Sequence, residues 1–174
     1  MPRVFPYAYM MHRNLLWLPV VLLALATSLP TGSPAKASDV ELTLAGPPGS
    51  GDVLEFTMEA LEELPQVTIV TESEFSDEAV SYRGPLVRDL LAHLGLEEAE
   101  TIRMTAANDY YVDIPTSDFR QYNAVLALEV DGERLSRREK GPLWLMYPIS
   151  DHSELRSEVY NARLIWQVVR IEAL

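Results

Sequence analysis

Alternating apolar and polar positions along the chain predict a set of short β-strands. Residues 40–44 alternate strictly, which is typical of a strand with one buried face, and we interpret this segment as an edge strand. Residues 67–72 predict a second strand, with one face more polar near its end. The run 143–147 is continuously apolar between Gly-Pro and Pro, which predicts a buried strand. Less regular apolar segments predict further strands at 102–106, 111–114, 125–130 and 164–171.

Helical spacing is confined to short segments. Four leucines recur on one helical face between Pro85 and Gly95, and Thr57 is placed to cap a second helix. Thr116 or Ser117 is placed to cap a third. Helices are predicted at 58–64, 86–94, 117–122 and 154–160. Because these helices do not alternate regularly with the more numerous strands, we predict an α+β fold with a compact mixed or antiparallel sheet.

Turn-forming residues separate the predicted elements. Asn108-Asp109 is typical of a turn that follows a strand, and Asp131-Gly132 indicates a hairpin. Glycine and proline dominate 46–51, which predicts a turn or a linker. The acidic segment 72–80 shows no clear periodicity, and we expect it to be irregular.

The N-terminus has the features of a secretory signal peptide. A weakly basic start precedes an apolar stretch at 15–26, and Ala35-Lys36-Ala37 is a small-x-small cleavage motif. That stretch is shorter than the about 20 residues that cross a bilayer, although an uncleaved anchor stays an alternative. We predict a signal peptide at 1–37, an N-terminal edge strand and linker at 38–52 and a domain at 53–174, in a periplasmic or secreted protein.

Charge and cysteine content narrow the possible functions. Cleavage after residue 37 removes three basic and no acidic residues, so the formal net charge moves from −12 to −15. Such an acidic chain is a poor partner for nucleic acid or an anionic membrane, although its surface could attract a cationic partner or simply be solvated. The chain contains no cysteine, which excludes disulfides, thiolate metal sites and cysteine nucleophiles.

A series of short motifs resembles a known family. In order they are Asn108-Asp109-Tyr110, Ile114-Pro115, Leu126-Ala127, Asp131-Gly132, Leu135, Gly141-Pro142-Leu143, Tyr147-Pro148 and Trp166. Their order and spacing are similar to the molybdopterin-binding domain of the sulfite oxidase superfamily, and especially to its small exported members of unassigned activity. The resemblance covers residues 53–174. It implies a sulfite-oxidase-like fold, with short helices around a cleft of pterin size.

Two positions depart from the pattern that this resemblance implies. Redox-active members bind molybdenum through a cysteine in a loop after the strand at 67–70. Laying Phe75 on the aromatic residue that follows that cysteine places Thr71 at the position of the lost ligand. A threonine hydroxyl is neither soft nor readily ionised, so it cannot replace a thiolate. Family enzymes also often carry an arginine after a Gly-x-Pro-Leu segment, where this chain has Trp144.

The N-terminus departs from the family enzymes as well. Those enzymes acquire the cofactor in the cytoplasm and leave folded by a twin-arginine route, whereas Arg13 here is followed by Asn14. A chain exported unfolded by the general secretory route would arrive without the cofactor. We therefore expect no cofactor, with molybdopterin as the alternative.

Candidate ligand-binding residues form two groups. A cluster of basic side chains precedes Gly141-Pro142, where guanidinium groups can bind a phosphate or carboxylate, and a solvated hairpin loop is the alternative. A second group follows the Asn-Asp turn or supplies an aromatic wall, with a structural turn and core aromatics as the alternative. The candidates are Asn108, Asp109, Tyr110, Arg137, Arg138, Lys140 and Trp144.

These features predict an exported domain that performs no redox chemistry. We expect it to bind a small anionic ligand or a periplasmic partner protein at the former pterin cleft, with no catalytic residue and no metal site. Two alternatives stay open. One is a molybdopterin-dependent oxidoreductase with a cysteine-free metal site, and the other is a purely structural interaction module with a filled cleft.

Overall fold

Short strands and short helices make up residues 40–174, the part of the chain that the structure, a computed structural model, describes. The strands are β1 (Val40–Ala45), β2 (Val53–Thr57), β3 (Gln66–Ser73), β4 (Ser76–Pro85), β5 (Thr101–Ala106), β6 (Tyr111–Pro115), β7 (Val125–Ala127), β8 (Glu129–Val130), β9 (Glu133–Arg134), β10 (Trp144–Met146) and β11 (Val168–Ala173). The helices are α1 (Met58–Glu63), α2 (Val87–Ala92), α3 (Ser117–Gln121) and α4 (Glu158–Asn161), with 3₁₀ turns at Arg137–Glu139 and Ser153–Leu155. The predicted signal peptide at 1–37 lies outside the described residues. The α+β prediction is confirmed.

The larger sheet has five strands in the order β2-β1-β11-β5-β6. β1 runs parallel to β11, with Leu44 opposite Ile171, and the other neighbouring strands are antiparallel. β1 therefore lies inside the sheet, and the prediction of an edge strand is wrong. Alternation along one strand indicates which face is buried but not which strands lie beside it. The segment 46–51 closes the β1–β2 hairpin, where the Gly46 N–H donates to the Asp52 carbonyl oxygen (2.9 Å). The predicted boundary at residue 53 therefore falls inside one sheet.

A second, antiparallel sheet has the order β3-β4-β8-β9, and β10 pairs separately with β7. β3 and β4 form a long hairpin in which Thr71 lies opposite Val80. The prediction that residues 72–80 are irregular is therefore wrong. Glu72, Glu74 and Glu78 of this hairpin are exposed, so the apolar alternation that marks a half-buried strand is missing there.

The strands β4 and β7 approach each other closely in the core. Leu86 and Val125 form an isolated bridge, and the Val87 N–H donates to the Ala124 carbonyl oxygen (3.0 Å). A Cβ on Gly84 would lie 1.9 Å from the Leu126 carbonyl oxygen, so only glycine fits this crossing. All residues of β7 and β10 are buried, as the apolar run at 143–147 predicted.

The helix termini follow the sequence predictions in part. Thr57 caps α1, because its Oγ1 accepts a hydrogen bond from the Ala60 N–H (3.2 Å). α2 is shorter than the predicted helix 86–94, and Gly95 adopts φ +63° beyond its end. Thr116 occupies the N-cap position of α3, as one of the two predicted candidates, but its side chain makes no capping hydrogen bond. Thr116 has helical backbone angles, Ser117 is already helical, and the buried Thr116 hydroxyl has no hydrogen-bond partner among the described residues.

The C-terminal elements are shorter than predicted. The helix expected at 154–160 is divided into a 3₁₀ turn and α4, because Ser157 between them is extended. The strand expected at 164–171 begins only at Val168, since Gln167 has a positive φ of 55°. Trp166 instead makes a single bridge to Trp144. Among residues 40–174, no helix has the length and apolar character needed to cross a membrane.

Candidate functional site

Two cavities contact Phe75 at the tip of the β3–β4 hairpin. The first, the apolar cavity, has a volume of about 430 Å³. The hairpin tip, the β5–β6 turn and the segment 161–166 form its walls. Its apolar lining is Phe75, Ala106, Ala162, Leu164, Ile165 and Trp166, and Glu74, Asn108, Tyr110 and Asn161 complete it.

The second cavity, the polar cavity, has a volume of about 420 Å³ and also contacts Phe75. Val80, Tyr82, Leu135 and Trp144 supply its apolar walls. Three cations and three carboxylates line it as well, namely Arg134, Arg138, Lys140, Asp131, Glu133 and Glu139. The fold thus brings part of the predicted basic cluster to a concave surface.

Lys140 of the polar cavity packs on aromatic rings that line both cavities. Its Nζ lies 4.2 Å from the ring centroid of Phe75, 4.6 Å from that of Trp144 and 5.7 Å from that of Trp166. Phe75 meets the two tryptophans edge to face, with centroids 5.7 Å and 5.3 Å away. The ammonium group is therefore held by ring faces through cation–π attraction.

The predicted basic cluster is divided between ion pairs and the polar cavity. Arg134 pairs with Glu62, and Arg137 pairs with Glu41 at 3.0 Å. Arg137 lines neither cavity, so the prediction that it belongs to the ligand site gains no structural support. Arg138 and Lys140 line the polar cavity, and within residues 40–174 neither forms an ion pair with a carboxylate.

The other predicted residues are separated in the same way. Asn108 and Tyr110 line the apolar cavity, and the Asn108 Oδ1 accepts a hydrogen bond from the Tyr110 N–H (3.2 Å). Asp109 has φ 65° and supports the turn without lining either cavity. Trp144 is only 5% exposed, donates its Nε1–H to the Leu164 carbonyl oxygen (3.2 Å) and forms a wall of the polar cavity. Asn108 and Lys140 thus lie in different cavities.

Sequence reasoning missed two aromatic residues of the site. Phe75 served only to align the lost cysteine, yet it lines both cavities. Trp166 entered the sequence analysis only as the last of the family motifs, yet it is 40% exposed in the apolar cavity. Its place between two buried residues and the polar Gln167 gave a weak indication of a strand end. Nothing in the local pattern around Phe75 indicated a cavity.

Thr71 does not lie in a loop, as the resemblance implied, but within β3. It is fully buried, and its hydroxyl accepts from the Ser150 N–H (3.0 Å) and donates to the Glu72 carbonyl oxygen (3.0 Å). The chain has no cysteine, and the described residues contain no group of three or more metal-ligating side chains. The residues present at this position therefore do not fit a thiolate-bound molybdenum centre.

A buried polar cluster fixes the segment that lines the apolar cavity. Arg163 forms an ion pair with Asp118, which also accepts a hydrogen bond from the Tyr147 O–H (3.1 Å). Burial, with a smaller contribution from the Asp118 carboxylate, raises the pKa of Tyr147 well above its usual value. Desolvation, assisted by a hydrogen bond with Tyr160, raises the pKa of Tyr122 to about 12. The cluster holds Arg163 on the side of its segment that does not line the cavity.

Comparison with known proteins bears on this arrangement. The sequence profile of the oxidoreductase molybdopterin-binding domain family matches residues 30–150, more than half of the chain. The crystal structure of the sulfane dehydrogenase SoxCD from Paracoccus pantotrophus is similar, with a TM-score of 0.57 and 21% sequence identity over 78% of this chain. The match covers 38% of that SoxCD chain, so this chain spans well under half of its length. No curated protein matches the chain.

At this identity the structural similarity establishes the fold alone, whereas the profile match establishes the family. The profile match confirms the family resemblance but ends at residue 150, before Trp166. The chain belongs to the oxidoreductase molybdopterin-binding domain family and has a sulfite-oxidase-like fold.

Proposed function

We propose that this chain is an exported, redox-silent member of its family that binds a small anion in the polar cavity. The observation that carries the proposal is that two cations of the polar cavity have no carboxylate partner. Arg138 and Lys140 line the cavity, and neither forms an ion pair with a carboxylate of residues 40–174. The lower dielectric of a cavity strengthens the attraction between such cations and an anion.

The size and rigidity of the cavities support a ligand site. Volumes of about 430 and 420 Å³ fall in the range of about 300–1,000 Å³ that small-molecule sites occupy. Tyr82 packs edge to face on Trp144 at 5.5 Å, which gives the polar cavity a rigid wall and reduces the entropy lost on binding. If the chain were a purely structural module with a filled cleft, we would expect no cavities of this size.

Redox silence is supported by the chemistry of the position where family enzymes carry a cysteine. Thr71 offers a buried hydroxyl that is already engaged by Ser150 and Glu72. Elemental analysis and native mass spectrometry of protein purified from the periplasm of its own host test this part of the proposal. We expect no molybdenum. Stoichiometric molybdenum with a pterin-sized adduct would overturn redox silence and favour an oxidoreductase with a cysteine-free metal site.

Anion binding is tested by thermal unfolding in the presence of inorganic phosphate. A ligand that binds only the folded chain raises Tm by mass action. We expect phosphate to raise Tm, and we expect Arg138→Gln to remove at least half of that increase. The matched control is Arg88→Gln, which removes a cation that lines neither cavity. Equal phosphate responses of the two variants would contradict an anion site at Arg138.

Export forms a separate part of the proposal and rests on the apolar stretch at 15–26 and the cleavage motif at 35–37. N-terminal sequencing of the protein from fractionated cells is expected to begin at Ser38. An uncleaved chain found only in the cytoplasm would overturn export. A periplasmic protein partner is the alternative occupant of the site, and a pull-down that recovers nothing beyond a charge-matched control would count against it.

A further inference from the structure

The two cavities share a wall of aromatic rings. Phe75 lines both, and it contacts Trp166 of the apolar cavity and Trp144 of the polar cavity. We propose that the cavities form one composite site for an aromatic carboxylate, with the aromatic rings in the apolar cavity and the carboxylate on Lys140. This inference rests on the proposed function, because it uses the same polar cavity.

The lining of the apolar cavity selects for a flat apolar group. Ala106, Leu164 and Ile165 are at most 5% exposed and form an aliphatic floor. Phe75 and Trp166 add ring surfaces, which favour edge-to-face or offset packing with another aromatic ring. Removing an aromatic group from water onto this lining is favourable in proportion to the apolar area that becomes buried.

The polar groups at the apolar cavity do not suit an anion. Asn108 and Asn161 offer neutral carboxamides, and Tyr110 offers a neutral hydroxyl. Glu74 also lines the cavity, is exposed and has no cation beside it in the lining, so its carboxylate repels a second negative charge. In the polar cavity, by contrast, three cations balance the three carboxylates. An anionic ligand therefore places its charged end away from Glu74.

On the other side of the shared wall, Lys140 offers a cation that packs on the ring of Phe75. Its Nζ lies within 5.7 Å of the ring centroids of Phe75, Trp144 and Trp166, so it reaches both the shared wall and the polar cavity. The one ammonium group at this junction matches the single charge of a carboxylate better than the double charge of a phosphate ester, since each unpaired charge costs desolvation energy. Arg138 also lines the polar cavity and adds a second donor.

Isothermal titration calorimetry of the purified chain with four probes tests the composite site. The probes are 2-naphthylacetate, its neutral amide, acetate, and pterin-6-carboxylate, which joins a carboxylate to a polar heterocycle. We expect 2-naphthylacetate to bind at least about tenfold more tightly than each of the other three, because only it offers both an apolar ring system and a charge. Inorganic phosphate serves as the reference ligand for the polar cavity alone.

Two substitutions separate the contributions of the two cavities. Ala162 is exposed and lines only the apolar cavity, so Ala162→Phe fills that space without disturbing the core, and Ala162→Leu is the milder second variant. Both are expected to remove the advantage of naphthylacetate over acetate and to leave phosphate binding unchanged. Lys140→Met is expected to remove the preference for naphthylacetate over its amide. Arg88→Gln should change neither preference.

The other possible binding results distinguish failure of the composite site from failure of the anion site. If phosphate binds but naphthylacetate binds no more tightly than acetate, or if the Ala162 variants do not weaken it, the composite site fails while the anion site stands. Equal binding of the amide refutes the role of Lys140, and equal binding of pterin-6-carboxylate refutes the preference for an apolar ring system. If no anion binds at all, the proposed function fails together with this inference.

Discussion

Gly84 is the residue at which the backbones of β4 and β7 come closest. A Cβ there would lie 1.9 Å from the Leu126 carbonyl oxygen and 2.9 Å from the Ala127 Cα, and both are backbone atoms held by strand pairing. We expect Gly84→Ala to lower the free energy of unfolding by at least about 3 kcal/mol, as measured by urea denaturation. At Gly46 the nearest atom is the rotatable Ser50 Oγ, so Gly46→Ala should cost less than about 1 kcal/mol. Similar costs for the two variants would contradict the close crossing.

The buried side chain of Thr71 has a structural role in the fold. Its hydroxyl accepts a hydrogen bond from the Ser150 N–H, which ties β3 to the loop after β10. Thr71→Val keeps the shape but leaves that N–H without a partner, so we expect a loss of about 1–2 kcal/mol in the free energy of unfolding. Thr68→Val, at an exposed position of the same strand, should be within about 0.5 kcal/mol of the parent chain. Equal effects at the two positions would show that the Thr71 hydroxyl contributes nothing.

For single residues, the sequence indicated which side chains could bind a ligand, but not which residues lie beside them in the folded chain. Asn108 and Lys140, which the sequence analysis placed in one ligand site, line different cavities, and their role in ligand binding stays a prediction. Arg137 could not be separated from Arg138, because the carboxylate that pairs with it, Glu41, is 96 residues away in the chain. An ion pair between residues so far apart in sequence depends on the fold and cannot be recognised from the residues near Arg137.

The β5–β6 hairpin is stabilised by a cross-strand ion pair. Arg103 lies opposite Asp113 and donates two hydrogen bonds to it, at 2.7 and 2.8 Å, and its guanidinium group also packs on the Tyr111 ring at 4.2 Å. The hydrogen bonds from Arg103 lower the pKa of Asp113 below its usual value. A carboxyl with a lowered folded-state pKa stabilises the fold above its unfolded pKa, and this contribution disappears as the pH falls through the folded pKa.

We therefore expect Asp113→Asn to lower Tm by about 2 °C at neutral pH, a small change because the pair is partly exposed. The difference from the parent chain should shrink as the pH is lowered through the range in which Asp113 becomes protonated. Thermal unfolding followed by circular dichroism from neutral to acidic pH measures it. Glu98→Gln, at an exposed position, is the control for a generic loss of charge. A difference that stays constant over the whole range would refute the ion pair as its cause.

Among the elements, those with local determinants were predictable. The Thr57 cap, the Gly95 helix end and the Asp131-Gly132 hairpin each depend on residues within a few positions of one another. The β3–β4 hairpin was missed because its exposed glutamates hide the strand period. The single helix predicted at 154–160 is divided in the structure because Ser157 is extended. Strands and helices that are exposed on both faces show little apolar periodicity in the sequence.

At the scale of the whole described chain, the order of strands in the sheets could not be predicted from local sequence patterns. β1 pairs in parallel with β11, the last strand, so the first described strand became an interior one. Only the order of motifs, through the family resemblance, indicated the overall fold. The cavities depend on this order too, since the hairpin tip at Phe75 meets the segment before β11 only in the folded chain.

The ion pair between Arg163 and Asp118 is largely buried and joins segments that are distant in sequence. The side chains of Arg163 and Asp118 are 16% and 9% exposed, and Tyr147 donates a further hydrogen bond to Asp118. Arg163→Met would leave the Asp118 carboxylate without its cation, so we expect a loss of about 3 kcal/mol in the free energy of unfolding. Arg156 pairs with Glu72 at 3.1 Å, but both side chains are at least half exposed, so Arg156→Met should cost less than about 1 kcal/mol.

A double variant distinguishes the loss of a buried partner from a general effect of removing an arginine. Adding Asp118→Leu to Arg163→Met removes the stranded charge, and urea denaturation should show much of the stability restored, because an apolar pair avoids the desolvation cost of the ions. Simple addition of two losses would instead mean that the two side chains act independently. Because Arg163 lies in the segment that lines the apolar cavity, the single variant should also weaken naphthylacetate binding, whereas the Arg156 variant should not.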